Sequence, residues 1–265
     1  MTQKITDFFD KLWSNYLEIT PSAEKIHNVL SSGGEIINDH VAFRTFNLPH
    51  INLEVLGAFF IDMGYEEKGQ YVFDSKKLKA KHFEHPNKLL PKVFISELLL
   101  ELCSENLNTI VRKLVSQMDS NNISGDGFLY SGIHWDISYG DYLELLNESE
   151  YAAWLAAFGF RANHFTVSVN HLEGYASLSE VNQKLKDNDF LLNLAGGEIK
   201  GSSDVMLEQS STLADMHSMN FSDQVQDIPG CFYEFAYRYM QPCGSLYQGF
   251  VAASADKIFE STHSR

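Results

Sequence analysis

Residues 39–46 read Asp39-His40-Val41-Ala42-Phe43-Arg44-Thr45-Phe46, and the fold turns on how that stretch is read. It holds β-branched and aromatic residues and no Gly or Pro, which predicts a strand. Side chains alternate faces along a strand. His40, Ala42, Arg44 and Phe46 then share one face, and Val41, Phe43 and Thr45 the other. A small residue between a histidine and an arginine is unusual on a core face. It suits a site where a metal or a base lies beside an anion clamp. A half-exposed edge strand with its polar face in water is the competing reading.

Two further stretches alternate in the same way. In Asn163–Asn170, His164, Thr166, Ser168 and Asn170 share a polar face, while Phe165, Val167 and Val169 share an apolar one. In Phe232–Met240, Phe232, Glu234, Ala236 and Arg238 share one face, and Tyr233, Phe235, Tyr237 and Tyr239 the other. After the first strand the pattern predicts a helix (Asn52–Gly64) and strands at Tyr71–Phe73, Leu78–Glu84 and Val93–Leu102. After His164 it predicts a helix from a Ser cap at Ser179 to about Asp187. Strands near Glu198–Lys200 and Val205–Gln209 follow, then a loop to about Gly230 and the Phe232 strand. The order strand, helix, three strands thus occurs twice, as a repeat of topology rather than of sequence.

The expected fold is α+β. Paired βαβββ modules form a half-closed mixed sheet, or half-barrel, around a metal site. One domain is expected over residues 1–265. It holds N-terminal helices at 5–31, a first module at about 39–102, a helical connection at about 105–160 and a second module at about 163–240. The N-terminal helices carry Phe8, Phe9, Leu12, Trp13, Tyr16 and Leu17 at helical spacing, with Pro21 opening the second helix. They are expected to form a cover that keeps water out.

Composition bounds the function. The chain has 265 residues, 44% hydrophobic, with a net charge of -15. Clustered Lys and Arg are absent, so nucleic acid is not an expected partner. An acidic protein that binds an anionic metabolite needs local cations or a metal. Cys103, Cys231 and Cys243 form no CxxC pair, which points to a reducing compartment. The first residues lack a signal-peptide pattern and no stretch is long enough to span a bilayer, so a cytoplasmic location and no membrane partner are expected.

Three strands each place a metal-ligand type on a polar face: His40, His164 and Glu234. Two histidines and one carboxylate, with positions left open, form the facial arrangement of non-haem Fe(II) oxygenases. Singly, each histidine fits a structural role. Glu234 among aromatics is costly to bury without a partner, and Arg238 on the same face is an alternative to a metal. Gln209, Ser211, Arg238 and Lys92 are weaker pocket candidates. His82 and His85 read as surface residues, and His134 and Asp136 as a structural pair on one strand face.

In combination, Asp39-His40-Val41-Ala42-Phe43-Arg44, Asn163-His164-Phe165-Thr166 and Tyr233-Glu234-Phe235-Ala236 resemble the 2-oxoadipate dioxygenase/decarboxylase family, over roughly His40 to Arg238. That family is similar to the vicinal oxygen chelate fold. The resemblance implies an Fe(II) site of His40, His164 and Glu234, with Zn, Ni or Mn as ions the purified protein could carry. It implies that Arg44 binds a substrate carboxylate. Its activity would be oxidation of a 2-oxo dicarboxylic acid, 2-oxoadipate, by dioxygen to 2-hydroxyglutarate and CO2. Longer family members carry additional segments around the site, and this chain is compact beside them. Two other readings stay open. One is a redox-neutral, glyoxalase-like lyase or isomerase, or a hydrolase, with Glu97 as a fourth ligand. The other is a non-catalytic small-molecule-binding module in which Glu234 pairs with Arg238.

Overall fold

The computed structural model describes residues 2–31, 34–119, 123, 125–258 and 261. Helices α1 (Thr2–Leu17) and α2 (Pro21–Ser31) open the chain. A first unit follows, with β1 (Asn38–Phe46), α3 (Leu53–Asp62), β2 (Glu66–Phe73), β3 (Leu78–Glu84) and β4 (Lys92–Leu98). Helices α4 (Glu105–Val115), α5 (Tyr139–Glu148) and α6 (Glu150–Phe158) lead to a second. It runs β5 (Ala162–Ser168), α7 (Leu178–Lys186), β6 (Lys200–Ser202), β7 (Leu207–Ser211), a hairpin of β8 (Met216–Asn220) and β9 (Val225–Pro229), and β10 (Phe232–Arg238). Helix α8 (Ala252–Ile258) closes the described chain.

The two units join edge to edge in one mixed sheet ordered β2-β3-β4-β1-β5-β10-β7-β6, curled into a half-barrel. Strands β1 and β5 pair antiparallel at its centre, with β4 parallel to β1 and β10 parallel to β5. Each unit therefore puts its first strand at the junction and its last strand next to it. The repeated topology read from the sequence is realised as a pseudo-twofold relation between β1 and β5.

The outer face is apolar and covered. Trp13 and Tyr16 of α1 each pack 5.1 Å from the Phe165 ring, and Trp13 lies 5.7 Å from Tyr233. Phe43 packs 5.4 Å from Phe60 of α3. Each such buried aromatic contributes about 1.5–3 kcal/mol through removal of apolar surface from water. The N-terminal helices thus cover the sheet on its outer face, opposite His164 and Glu234, and do not close the mouth of the site. Helix α6 is apolar on every side because it is buried on every side.

Several expectations need correction. Strand β2 begins at Glu66, five residues before the expected Tyr71. Its first half is charged and exposed, as suits a sheet edge, and carries no hydrophobic alternation. The span expected to be a loop before Gly230 contains the β8–β9 hairpin, which buries Met219 and Ile228 and leaves alternate residues such as Met216, Ser218, Val225 and Asp227 exposed. The cap of α7 is Ser177, whose side chain accepts from the Glu180 amide, rather than Ser179. His134 and Asp136 lie outside any strand, and His134 Nε2 meets Ser131 Oγ at 2.6 Å. Among the described residues no helix is long and apolar enough to cross a membrane.

The buried Tyr16 hydroxyl donates to the Phe232 carbonyl and ties α1 to the start of β10. Tyr16→Phe keeps the ring and strands that carbonyl, so denaturant unfolding should report a loss of about 1–3 kcal/mol. A stability equal to wild type would show that the bond carries nothing.

Candidate metal centre

The register of three strands builds the centre. His40 of β1 lies opposite Thr166 of β5, which lies beside Glu234 of β10. One row along, Ala42, His164 and Phe232 form the next line across the same strands. His40 and Glu234 therefore flank a short threonine, with His164 above the gap and the small Ala42 leaving it room. His164 Nε2 is 3.1 Å from Glu234 Oε2, and His40 Nε2 is 3.7 Å from Glu234 Oε1. One donor atom from each residue falls within 4.8 Å of the others, and all three residues are buried. The three side chains that the sequence places on inner faces are brought together.

Both imidazoles are held from behind. Strand β1 carries an extra residue opposite β5 between Asn38 and His40, and β5 carries an extra one between Ala162 and His164. These bulged residues are Asp39 and Asn163. A bulge re-aims side chains, and each meets the ring that follows it: Asp39 Oδ1 lies 2.8 Å from His40 Nδ1, and Asn163 Oδ1 lies 3.0 Å from His164 Nδ1. Both partners accept at those atoms, so the Nδ1 positions donate and the Nε2 atoms are the ones turned toward Glu234, where a proton or a metal ion can lie between nitrogen and carboxylate; Thr166 Oγ1 also meets His40 Nε2 at 3.1 Å. Such rear partners orient metal-binding histidines.

Electrostatics favour the ligand forms. Burial opposes ionisation of Glu234, but His40, His164 and a hydrogen bond from Gln209 outweigh it and hold the carboxyl below its usual range. Burial lowers the His164 pKa, and Glu234 offsets this only in part. Burial likewise opposes the Asp39 charge, which Arg238 restores and carries well below the usual carboxylate range. Arg238 binds Asp39 through Nε at 2.6 Å and Nη2 at 2.8 Å. The Glu234–Arg238 pair of the binding-module reading is therefore not formed.

The remaining candidates are spread around the centre. Gln209 lines the cavity at the three ligands, with Phe94, Phe250 and Ile258. Its Nε2 donates to Glu234. Ser211 does not line it, because its hydroxyl pairs with Ser261 at 2.7 Å. Arg238 is withdrawn by Asp39, and Lys92 faces a neighbouring pocket. Arg44 lies further along the inner face, 2% exposed, its Nη1 donating to Glu150 Oε1 at 3.0 Å and its guanidinium over the rings of Tyr151 and Trp154. Glu97 sits on the outer face, where it accepts from the Leu53 amide at the start of α3, so it supplies no fourth ligand. His82 is a correction. It is 3% exposed rather than on the surface, bonded to Tyr71 and Glu84 and packed 5.2 Å from Phe250. His85 is half-buried and accepts from the Asn87 amide. The sequence reading missed Phe250 altogether, although aromatic residues are frequent walls of small-molecule sites.

The donor set fits a divalent ion. Two imidazole lone pairs and one carboxylate converge, and their rear atoms are satisfied. Gln209 Oε1 is buried beside them with no hydrogen-bond partner among the described residues, an acceptor suited to a metal-bound water. The cavity measures about 20 Å³, room for an ion or one water. His40, His164 and Glu234 would hold the ion.

Two outcomes are expected. Asn163→Ala frees the His164 ring and should weaken divalent-ion binding by roughly 10–100-fold in an anaerobic titration; unchanged affinity would remove Asn163 from an orienting role. In the metal-free protein, folded His164 resists the proton that an unfolded imidazole takes up below its ordinary 6.5. Glu234 keeps its charge below the ordinary 4.5 of an unfolded glutamate. Stability should therefore fall as pH drops through the imidazole range, and again in the carboxylate range. His164→Gln should flatten the first of these steps in denaturant unfolding across that range, and an unaltered step would show that His164 does not contribute to it.

Comparison with known proteins agrees with this geometry. The family model for HGLS, 2-oxoadipate dioxygenase/decarboxylase, matches residues 3–124 and 130–244. The chain is 35% identical over 286 residues to the 2-oxoadipate dioxygenase/decarboxylase, chloroplastic/amyloplastic, of Oryza sativa subsp. japonica, covering 96% of this chain and 79% of the relative. It is similar to the crystal structure of the hydroxyglutarate synthase in complex with 2-oxoadipate from Oryza sativa, with a TM-score of 0.90 and 34% identity, over 98% of this chain and 93% of that one. A structure from Shewanella frigidimarina, named provisionally as a hydrolase, matches at a TM-score of 0.91 and 53% identity, over 94% and 98% of the two chains. With the family model spanning nearly the whole chain, including all three ligand positions, the chain belongs to the 2-oxoadipate dioxygenase/decarboxylase family.

Proposed function

We propose that this chain is an Fe(II)-dependent dioxygenase that decarboxylates a 2-oxo dicarboxylic acid, 2-oxoadipate, yielding 2-hydroxyglutarate and CO2. The observation that carries the reading is the convergence of His40, His164 and Glu234 in a member of this family. The rice structure solved with 2-oxoadipate supports the choice of acid. Fe(II) held by the three side chains would supply the redox chemistry with dioxygen and a Lewis-acidic seat for the 2-oxo acid, because a facial triad leaves positions open. The reaction balances: both atoms of dioxygen enter the products and every carbon of the diacid leaves as 2-hydroxyglutarate or CO2, so no second oxidant or reductant is needed.

The protein's own contributions follow from its residues. Asp39 and Asn163 keep both imidazoles in the ligand tautomer. Gln209 holds Glu234 and offers its free Oε1 to the space beside it. Arg44 would bind the distal carboxylate, because it is a buried cation on the ligand face, and guanidinium matches carboxylate geometry. Its present contact with Glu150 would have to loosen or be shared. Phe250 and Ile258 close the cavity, and a six-carbon acid exceeds the space they leave, so this wall would retract for binding and return to exclude water.

The test is anaerobic loading with Fe(II), then addition of 2-oxoadipate and oxygen. Equimolar oxygen uptake, CO2 release and 2-hydroxyglutarate are expected. If the iron-loaded protein consumes no oxygen with this acid, or turns over equally with Zn or Ni in its absence, the dioxygenase reading fails. Arg44→Met should lower kcat/KM for 2-oxoadipate by about 10–100-fold, the worth of a charged hydrogen bond. The loss should be much smaller for 2-oxohexanoate, which lacks the distal carboxylate; equal losses on both acids would remove Arg44 from that role.

A further inference from the structure

A second pocket opens behind the metal centre. It measures about 210 Å³, roughly ten times the cavity at the ligands, and is lined by Asn38, Lys88, Lys92, His171, Arg238 and Gln248 among others. Lys92 and His40 are register partners in the parallel β4–β1 pair, so their side chains project from the same face of adjacent strands. The wall between pocket and centre is the Asp39–Arg238 pair and the chain after β10. Arg238 Nη1 donates to the carbonyls of Tyr247 at 3.1 Å and Gly249 at 2.7 Å. Gln248 of that segment faces the pocket, and Phe250, two residues on, faces the metal cavity.

The charges in the pocket are not equivalent. Lys88 is paired with Glu84 at 2.7 Å, and Arg238 with Asp39. The His171 ring meets Ser168 Oγ at 2.8 Å. Lys92 is half-buried and makes no ion pair or side-chain hydrogen bond among the described residues. The carboxylates nearest it in effect, Asp39 and Glu84, already serve other partners. Burial and the Arg238 charge push the Lys92 ammonium below its ordinary range, and Asp39 offsets this only in part. An anion would satisfy that cation. In a chain of net charge -15, a dianion is repelled at long range, and a concave cationic pocket is where its local concentration rises.

We infer that this pocket is a docking site for the dicarboxylic acid on its way to the metal, with Lys92 as the charge that holds it. The inference rests on the proposed substrate class. It adds a second anion position, on the opposite side of the ligands from Arg44, separated from the centre by a partition that Arg238 pins.

The test uses adipate, a six-carbon diacid with no 2-oxo group, so binding is read without iron, oxygen or turnover. The full chain, wild type and Lys92→Gln, is titrated by calorimetry at low ionic strength. Wild type should bind in the millimolar range, Lys92→Gln at least tenfold more weakly, and Lys92→Arg close to wild type. With 2-oxoadipate in the iron-loaded enzyme, the Lys92→Gln loss should fall on kcat/KM rather than kcat, and kcat/KM should depend less on salt than in wild type. Equal adipate affinity in wild type and Lys92→Gln, or no binding by wild type, would overturn the inference while leaving oxygen uptake intact. Adipate binding that depends on Lys92 in a protein that consumes no oxygen would instead uphold the docking site and fail the dioxygenase reading.

Discussion

A carboxylate buried to 1% exposure inside a half-barrel is the constraint on which the centre depends. Removing such a charge from water costs several kcal/mol unless nearby groups compensate it. Glu234 is compensated by the two imidazole edges and by Gln209, and by no arginine or lysine contact among the described residues. The nearest inward cation on its own strand, Arg238, is taken by Asp39. The centre is thus left wanting positive charge between three donors. A divalent ion supplies more of it than an imidazole proton can, and draws on the His164 lone pair that burial keeps available.

The same constraint explains the pair of bulges. A histidine on a regular strand is flanked by residues on the other face, so its rear nitrogen would meet whatever the next strand offers. Inserting one residue before each histidine brings Asp39 and Asn163 round to the Nδ1 atoms. The two halves of the fold use one device with different charge. On β1 the rear partner is a carboxylate, which then needs its own compensation, and Arg238 from β10 provides it across the sheet. On β5 the partner is a neutral amide and needs none. The asymmetry makes His40 the more strongly polarised ring and joins the first unit to the end of the second.

Most of this architecture is legible in the sequence because the inner and outer faces of β1, β5 and β10 differ sharply in polarity. His40, His164 and Glu234 alternate with Val41, Phe165, Tyr233 and Phe235, and alternation states which residues share a side. It does not state distance, register or rear contacts. Asp39 and Asn163 stand next to the ligands in sequence, yet strict alternation assigns them to the opposite face, and only the bulges reverse that. His82 reads as a surface residue because it lies in a hairpin-like segment ending at Pro86 and shares a face with Glu84; its burial depends on Phe250, which arrives from far along the chain. The family resemblance adds the expectation of a metal to the three residues that alternation places inward, whereas Lys92 reads only as a weak pocket candidate and Phe250 carries no local signal at all. The start of β2 and the separate β8–β9 hairpin escape a sequence reading because neither carries a period-2 apolar alternation.

The arrangement of cations along β1 follows from these placements. His40 lies near one end of the strand with Lys92 beside it, and Arg44 lies four residues further, about 13 Å along an extended chain. The ligands thus stand between two positive groups on one face. A monocarboxylate bound at the ligands would leave Arg44 facing Glu150 alone. A diacid chelating through its 2-oxo end could place its far carboxylate toward Arg44, and an acid shorter or longer than the reach of the guanidinium would leave a buried charge poorly met. Sites that bind a charged group reject analogues lacking it far better than apolar pockets reject a missing methylene, because the stranded partner pays its own desolvation. On the dioxygenase reading, with Arg44 as the proposed clamp, chain-length selection would rest on the His40-to-Arg44 spacing fixed by β1 more than on the shape of the aromatic wall that Phe250 provides.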